Sequence, residues 1–483
     1  MISIDMLPDD ALLEIFDFYV NEKLDDGDFY KKPMEKWQIL VHVSQRWRRL
    51  VFRSPRRLKL RLVCSPETPA RDTLDVWPPL PIFIGSNDKG EEAAGDISEV
   101  LERSGDRVVK VHLFTLKNSD LEKTLAAMQV PFPELTDLLL YSRGGTMSVL
   151  PDSFLGGTAP RLEHLSFQGI PFPGLPKLLL SATRLVKLYL EDIPHSGYIS
   201  PEAMVTILST LTSLDDLWLE FESPRSYPDQ ASRRPPPLTR SVLPALISFR
   251  FKGVCEYLED LVARIDTPEL EMSYITLLNQ IVFDTPQFIQ FTSRTTTLET
   301  SENMKARVVF EDGAASIKLS TQSYGDGKLN VKIPCIELDW QVSSMEQVCT
   351  SCLPPLSTLE DLYVYELPNS QPVWKDNIEN ALWLELLRPF TAVKNLYLSE
   401  KFASRIMPAL QELAGDRSTE VLSTLQDIFL EEPQPSGTVQ ACIQQFIATR
   451  QATGHPIAVS LWGNSKKDTS HKTDFYGFLH LSH

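Results

Sequence analysis

Residues 185–190 read LVKLYL, and the same spacing of apolar residues, L-x-x-L-x-L with conservative exchanges, occurs eight times in the chain. Apolar residues that alternate in this way predict a half-buried β-strand at each occurrence. Successive strands of the first block start 27, 23, 29 and 32 residues apart, which leaves room for a returning segment after each strand. The occurrences cover residues 135–140, 162–167, 185–190, 214–219, 246–251, 359–364, 393–398 and 425–430.

The segments between these strands include helix-like stretches, for example residues 201–211 and 383–387. One strand and one helical return per period resembles a leucine-rich repeat, in which stacking of the repeats creates the core. The resemblance implies an α/β fold with an irregular solenoid, which has a curved, mostly parallel sheet inside and helices outside. Between residues 257 and 340 the motif is replaced by other strand-like runs, which we interpret as extra strands of the array rather than a separate inserted domain. These runs are residues 280–283, 306–310, 316–319 and 331–340.

The composition is that of an ordinary globular protein, with 42% apolar and 23% charged residues. Forty-seven Lys and Arg residues against 64 Asp and Glu give a net charge of −17, which argues against general binding of nucleic acid or of an anionic membrane. No apolar run approaches the ~18 residues that a membrane span requires. Six cysteines, no N-x-S/T sequon and no secretory signal over residues 1–10 indicate a reduced intracellular protein, either cytoplasmic or nuclear.

Two apolar segments near the N-terminus predict helices. Residues 7–20 read LPDDALLEIFDFYV, and residues 37–52 read WQILVHVSQRWRRLVF. The apolar residues of each segment spread beyond a single stripe of a helix. Because a unit of about 60 residues is only marginally able to build its own core, some of this surface must be covered. The cover is either the rest of the chain or a partner protein.

The N-terminal apolar pattern resembles an F-box, and the match is closest to F-box proteins abundant in mushroom-forming (basidiomycete) fungi. Residues 40–65 and 68–84 resemble the segments that follow in those proteins. The resemblance implies a small all-α module that binds the Skp-type adaptor of a cullin–RING ubiquitin ligase. The loop between the helices is longer than in the usual F-box, and Ser44-Gln45 replaces a common Cys-Arg or Cys-Lys. Carried over by position, the adaptor-binding residues are Leu7, Pro8, Leu12, Ile15, Phe16, Val43, Trp47 and Leu50.

The two resemblances divide the chain into an F-box at residues 1–62, a linker at 63–95, a repeat array at 96–462 and a flexible tail at 463–483. A Pro-rich loop at residues 223–244 is predicted to project from the array, as an inert insertion rather than a ligand-gripping element. Residues 46–61 contain eight basic residues and no acid. We interpret this run as a solvated face. The alternatives are a nucleic-acid patch, a nuclear-import signal or a contact with an acidic adaptor.

The positions between the repeat leucines predict a second surface. Alternate residues of a strand point to opposite faces, so these positions line one face together, the concave face of the predicted solenoid. Large aromatic residues there are typical of binding hot spots, which predicts a target-binding surface. The alternative is that the rings pack on one another or beneath loops. Ser166 belongs to this column, and the predicted target-binding residues are Tyr189, Trp218, Arg250, Tyr363, Tyr397 and Phe429.

Patterns that indicate catalysis are sparse. Cys349 and Cys352 form a single C-x-x-C with no second pair, so a zinc site is not expected. No histidine pair has H-E-x-x-H spacing, and residues 325–328, GDGK, lack the pattern of a phosphate-binding loop. We therefore expect no catalytic residue, no metal and no cofactor.

The F-box resemblance implies a substrate-recognition subunit of an SCF-type cullin–RING ubiquitin ligase. Its partners would be the Skp-type adaptor with the cullin–RING core and a target protein that the sequence does not name, with no nucleic acid and no membrane. Such a chain is not itself an enzyme, because ubiquitin transfer belongs to the assembly. Two alternatives stay open: a scaffold that binds partners without promoting ubiquitination, and an enzyme whose active site is dispersed over the array.

Overall fold

The computed structural model describes residues 4–21, 35–65, 74–86, 94–142, 149–172, 177–224, 239–278, 283, 285–295, 304–321, 327–354, 356–367, 378–413, 417, 420–431 and 437–462. The chain divides into two compact units, unit 1 (Met1–Leu270) and unit 2 (Glu271–His483). The boundary falls inside the predicted repeat array rather than at its start. The predicted tail, 463–483, and residues 225–238 of the Pro-rich loop lie outside the described residues.

Unit 1 begins with three helices, α1 (Asp9–Asn21), α2 (Lys36–Val43) and α3 (Gln45–Arg53). The sequence predicts one continuous helix over residues 37–52, but the structure divides it at Ser44, whose backbone is extended with φ −156° and ψ 164°. Ser44 Oγ accepts a hydrogen bond from the Trp47 backbone N–H at 3.2 Å. This serine therefore ends α2 and caps the exposed N–H groups of α3.

The three helices pack on one another through one apolar face each. Leu12 and Phe16 of α1, Trp37 of α2 and Val51 of α3 are almost fully inaccessible to solvent. Trp37 also connects the helices to the chain that follows them, because its ring contacts the Trp77 ring at 5.0 Å between centroids. The rest of unit 1 therefore covers part of the helical surface, which is one of the two possibilities that the sequence left open.

The strands of unit 1 pair in chain order, and every pair from β1 to β7 and from β7 to β9 is parallel. Two short strands, β8 (Ser241–Val242) and β10 (Ile265–Asp266), form a separate parallel pair. The repeat leucines are buried, as the alternation predicts. The strands are β1 (Leu62–Cys64), β2 (Ile82–Gly85), β3 (Val108–Leu116), β4 (Asp137–Ser142), β5 (His164–Gln168), β6 (Lys187–Ile193), β7 (Asp216–Phe221) and β9 (Ser248–Gly253).

Helical returns connect several of these strands. The predicted helix at residues 201–211 is observed as Pro201–Leu208, where the Ser200 side chain caps the first turn and Pro201 occupies a position that needs no N–H donor. The helices of unit 1 after α3 are α4 (Ala94–Ser104), α5 (Asn118–Ala127), α6 (Lys177–Ser181), α7 (Pro201–Leu208) and α8 (Cys255–Val262).

The predicted linker, residues 63–95, contains β2 and all of β1 except its first residue, Leu62. β1 pairs with β2, and β2 pairs with β3, in parallel. Leu62 and Cys64 of β1, with Ile82 and Ile84 of β2, alternate with less buried residues and are almost completely inaccessible. This alternation is shorter than the six-residue repeat motif and lacks its leucine spacing, so the repeat pattern alone does not find it.

Unit 2 has strands in the order β11, β14, β13, β12, β15, β16, β17, β18. The β12–β13 and β13–β14 pairs are antiparallel and the other pairs are parallel. Asp312-Gly313 makes the two-residue turn between β12 and β13, and Gly313 has φ +77°. The strands are β11 (Met272–Leu277), β12 (Lys305–Glu311), β13 (Ala314–Ser320), β14 (Leu329–Pro334), β15 (Asp361–Glu366), β16 (Asn395–Leu398), β17 (Asp427–Glu431) and β18 (Ala458–Trp462).

The strand-like runs between residues 257 and 340 are mostly strands of this sheet. Runs 306–310 and 316–319 lie in β12 and β13, and run 331–340 begins in β14 but continues into a helix that starts at Leu338. Run 280–283 lies almost entirely outside the described residues. The helices of unit 2 are α9 (Pro286–Arg294), α10 (Leu338–Ser351), α11 (Asn380–Leu387), α12 (Glu400–Gln411) and α13 (Gly437–Ala452).

The architecture within each unit is thus mixed α/β, with a mostly parallel sheet and helices between its strands, as the repeat motif predicts. Among the described residues, no helix combines the length and the apolar character that crossing a membrane demands.

Candidate protein-binding surfaces

The structure separates the eight predicted adaptor-binding residues by burial. Leu12, Phe16 and Leu50 lie in the core of the helices. Leu7 and Trp47 are half-buried, and the Trp47 ring packs on Phe16 at 4.7 Å between centroids. The exposed members of the set are Pro8, Ile15 and Val43.

Additional apolar residues surround the exposed members. Phe18 and Tyr19 of α1 lie three and four positions after Ile15 and so share its face of the helix, while Ile39 and Val43 share a face of α2. Phe18 is 77% exposed and Val43 is 57% exposed. Lys36 Nζ of α2 lies 5.4 Å from the centre of the Tyr19 ring, a contact between the first residue of α2 and the last turn of α1. We call the five residues Ile15, Phe18, Tyr19, Ile39 and Val43 the helical apolar face.

Arginines of the basic run make contacts within unit 1. The Arg46 guanidinium donates to the Leu7 carbonyl and to Asp9 Oδ1, both at 2.6 Å. Arg48 Nε donates to the Val41 carbonyl at 3.0 Å, at the C-terminal end of α2. Arg57 forms an ion pair with Glu14 of α1. These contacts hold α1, α2 and α3 together, which favours a structural role for this run over a nucleic-acid patch.

The predicted target-binding column is divided between the two units. In unit 1, Tyr189 and Trp218 are adjacent in register and stack at 4.6 Å between centroids. The Arg250 guanidinium lies 4.0 Å from the centre of the Trp218 ring, on the next strand. The Tyr189 hydroxyl donates to Asp216 Oδ2 at 2.6 Å. We call Tyr189, Trp218 and Arg250 the unit 1 ladder.

In unit 2, Tyr363, Tyr397 and Phe429 form a second stack on β15, β16 and β17. The Tyr363 and Tyr397 rings are 4.1 Å apart with an interplanar angle of 6°, and the Tyr397 and Phe429 rings are 4.5 Å apart with an angle of 10°. Arg307 of β12 lies over the other face of the stack, 5.6 Å from the Tyr363 ring centre. We call Arg307, Tyr363, Tyr397 and Phe429 the unit 2 ladder.

The rings therefore pack on one another, as the alternative interpretation of the sequence held. They are nevertheless half-buried rather than covered, so their edges remain accessible to a partner. A row of rings fixed by stacking loses little side-chain entropy on binding. Stacking is thus compatible with a binding surface.

A group of charged residues lies where the strands of unit 1 end. Lys252 Nζ is 3.1 Å from Asp192 Oδ1 and 4.0 Å from Glu220 Oε2. Asp192 has φ +47°, a left-handed conformation uncommon for aspartate, at an irregularity in the β6–β7 register. The sequence motif ends at Leu190, before this irregularity, so it does not indicate that Asp192 approaches Lys252.

Glu191 belongs to the same group. The pKa of its carboxyl group is raised from 4.5 to about 7. Burial is the largest cause, and the nearby carboxylates of Glu220 and Asp192 add to it. Arg250 and Lys252 oppose this effect.

Replacing Glu191 with glutamine is expected to change how the stability of unit 1 depends on pH. Because the pKa is raised in the folded state, the protonated form favours folding, and stability is lost as the pH rises from 4.5 to about 7. Glu191→Gln should therefore be more stable than wild type by about 2 kcal/mol at pH 8, and about equal to it at pH 4.5. Urea unfolding at both pH values measures the difference. An equal effect at the two pH values would show that Glu191 does not titrate in this way.

The cysteines give no indication of a metal site. All six are free, and Cys349 and Cys352 are buried. Burial raises the pKa of the Cys349 thiol far above its ordinary value, which disfavours the thiolate that binds metals. Within the described ranges, no group of three or more His, Cys, Asp or Glu side chains is placed to hold a metal ion.

Comparison with known proteins gives a limited result. No family model matches the chain, and no curated protein matches it. A similar solved structure is that of the leucine-rich repeat-containing protein LegL7 from Legionella pneumophila, with 10% sequence identity and a TM-score of 0.25. The match covers 80% of this chain and 97% of that chain. Similarity at this level does not establish a shared fold.

Proposed function

We propose that this chain is the substrate-recognition subunit of an SCF-type cullin–RING ubiquitin ligase. The observation that supports this proposal most strongly is the helical apolar face. One side of α1 and α2 is buried in unit 1, while the opposite side presents exposed Ile15, Phe18 and Val43. Large apolar side chains clustered on a surface are characteristic of a protein interface.

The partner at this face, in the proposal, is a Skp-type adaptor. The F-box resemblance of residues 7–50 indicates this partner, and the exposed apolar residues provide the surface that it would contact. Aromatic side chains such as Phe18 and Tyr19 are enriched in the centres of protein interfaces. The buried members of the predicted set, Leu12, Phe16 and Leu50, hold the helices in position for that contact.

In this proposal, the two ladders bind the target protein. Rings and guanidinium groups fixed in register offer the aromatic and cationic groups that dominate binding hot spots. The chain would act by proximity, because it raises the concentration of the target next to the ubiquitin-conjugating enzyme. It contributes no catalytic group and no cofactor to the reaction, and it would work in the cytoplasm or the nucleus.

Co-purification tests the proposal. The tagged full chain, expressed in a basidiomycete cell, is expected to bring down a Skp-type adaptor and a cullin in comparable amounts. A control variant carries Ile336→Asp and Trp340→Asp. Both substitutions are at exposed apolar residues of unit 2 that lie outside the helical apolar face. It should retain both partners. Recovery of the adaptor without the cullin would favour the scaffold function, and recovery of neither would refute the proposal.

The ladders are tested by their own substitution. Trp218→Ala together with Tyr363→Ala removes the central ring of one ladder and the first ring of the other. Loss of two hot-spot rings is expected to lower the recovery of target proteins at least about tenfold, with no change in adaptor recovery. Quantitative mass spectrometry of the co-purified proteins measures both. An unchanged set of targets would remove the ladders from the binding surface.

A further inference from the structure

The two ladders differ in how their ends are closed. In the unit 1 ladder, Arg250 covers the outer face of Trp218. At the other end, the His164 ring lies 5.3 Å from Tyr189, and the neighbouring Ser166 is fully buried. Both ends of the stack of two rings, Tyr189 and Trp218, are therefore covered by other side chains of unit 1.

Among the residues that the structure describes, the stack of three rings in the unit 2 ladder is covered at one end only. Arg307 lies over Tyr363 at the first end. At the second end, the register partner of Phe429 on β18 is Ser460, which is exposed and too short to cover the ring. Within the described residues, Phe429 has a ring contact with Tyr397 but none on the side of β18.

A carboxylate lies beside the open position. Asp427 is two residues before Phe429 on the same face of β17, and its register partner on β18 is the short residue Ala458. Its counterpart on β15, Asp361, contacts Lys305 Nζ at 3.6 Å and accepts a hydrogen bond from Asn395 Nδ2 at 2.7 Å. Among the described residues, the Asp427 side chain has no such ion pair or hydrogen bond.

We propose that the open end of the unit 2 ladder binds an arginine side chain of a target protein. The guanidinium would stack on Phe429 above Ser460 and form an ion pair with Asp427. Neighbouring strands are about 4.8 Å apart, so a planar group above Ser460 would lie at a stacking distance from Phe429. This inference rests on the proposed function, in which the unit 2 ladder binds the target protein. It specifies which residue type of the target is recognised.

Charge and shape both favour arginine over other side chains. Arg250 on Trp218 already shows the same stacking within this chain, at 4.0 Å. A guanidinium combines a flat surface for the ring with N–H donors for a carboxylate, whereas the lysine ammonium lacks the flat surface. Residues 463–483, which follow β18, contain no arginine, so they cannot supply the group.

A substitution within the chain tests the geometry first. Ser460→Arg places a guanidinium on the strand next to Phe429 and should raise the melting temperature of the full chain by about 2 °C. Ser460→Lys is the matched control and should give a smaller rise. In a Phe429→Leu background, Ser460→Arg should give no rise beyond that of Ser460→Lys. Equal effects of arginine and lysine on the wild-type background would overturn the stacking geometry.

A peptide experiment tests recognition. A positional-scanning library of hexapeptides, offered to the full chain, should show enrichment of arginine at one position. Replacing that arginine with lysine or citrulline should weaken the selected peptide about fivefold, as should Phe429→Leu or Asp427→Asn. Ser460→Arg should abolish the preference by filling the position. No arginine preference, or a preference that persists in Ser460→Arg, overturns the inference. Adaptor binding, measured on the same variants, should be unchanged, so failure of this site is distinguishable from failure of the proposed function.

Discussion

Trp37→Ala is expected to lower the free energy of unfolding of unit 1 by about 3–5 kcal/mol, the range for removal of a buried large aromatic side chain. The Trp37 ring is completely inaccessible and packs between Trp77 at 5.0 Å and Phe52 at 6.1 Å. Its indole N–H also donates to the Arg61 carbonyl at 2.9 Å. The substitution therefore leaves a cavity between the helices and β1 and removes the hydrogen bond to the Arg61 carbonyl.

Urea unfolding of the full chain, followed by tryptophan fluorescence and circular dichroism, measures this effect. Ile39→Ala is the matched control, because Ile39 lies on the same helix but is exposed. It should change stability by no more than about 0.5 kcal/mol. A loss below about 1 kcal/mol for Trp37→Ala would mean that the three helices do not pack on the segment after α3 as described.

Ile15→Asp combined with Val43→Asp is expected to weaken binding of a Skp-type adaptor by at least about 100-fold. Each substitution places a carboxylate where the proposed interface excludes water, and hot-spot residues contribute about 2 kcal/mol or more each. Both residues are exposed, so the melting temperature of the variant should remain within about 2 °C of wild type. Surface plasmon resonance on the immobilised adaptor measures the affinity.

The choice of exposed residues makes this result interpretable. Phe16→Asp would bury a charge in the core of the helices and unfold them, so loss of binding in that variant would say nothing about the interface. The matched control is again Ile336→Asp with Trp340→Asp, which should bind like wild type. Wild-type affinity of Ile15→Asp with Val43→Asp would exclude the helical apolar face from the interface.

The repeat pattern predicts eight strands, β4 to β7, β9 and β15 to β17, because burial of a leucine row requires strict alternation. The spacing of Leu185, Leu188 and Leu190, for example, indicates β6, and its register with β7 brings Tyr189 beside Trp218. The short strands β1 and β2 escape the pattern, since three or four residues carry too little alternation to distinguish a strand from a loop.

The sequence predicts the candidate binding surfaces less completely than it predicts the strands. The apolar pattern of α1 does not reveal which side of the helix is buried, because both sides carry large side chains. Packing against α2 and α3 decides this, and it places Phe16 inside and Phe18 outside. Likewise, the break at Ser44 depends on a side-chain hydrogen bond to the Trp47 N–H, which competes locally with a continuous helix.

The central claim is that the helical apolar face binds a Skp-type adaptor. Isothermal titration of the purified full chain with a purified basidiomycete Skp-type adaptor tests this claim most directly. The claim predicts one adaptor per chain and a dissociation constant of roughly 1 μM or lower. The heat capacity change should be negative, because the helical apolar face leaves water on binding. No saturable heat at an adaptor concentration of about 100 μM would contradict the assignment of this face to the adaptor.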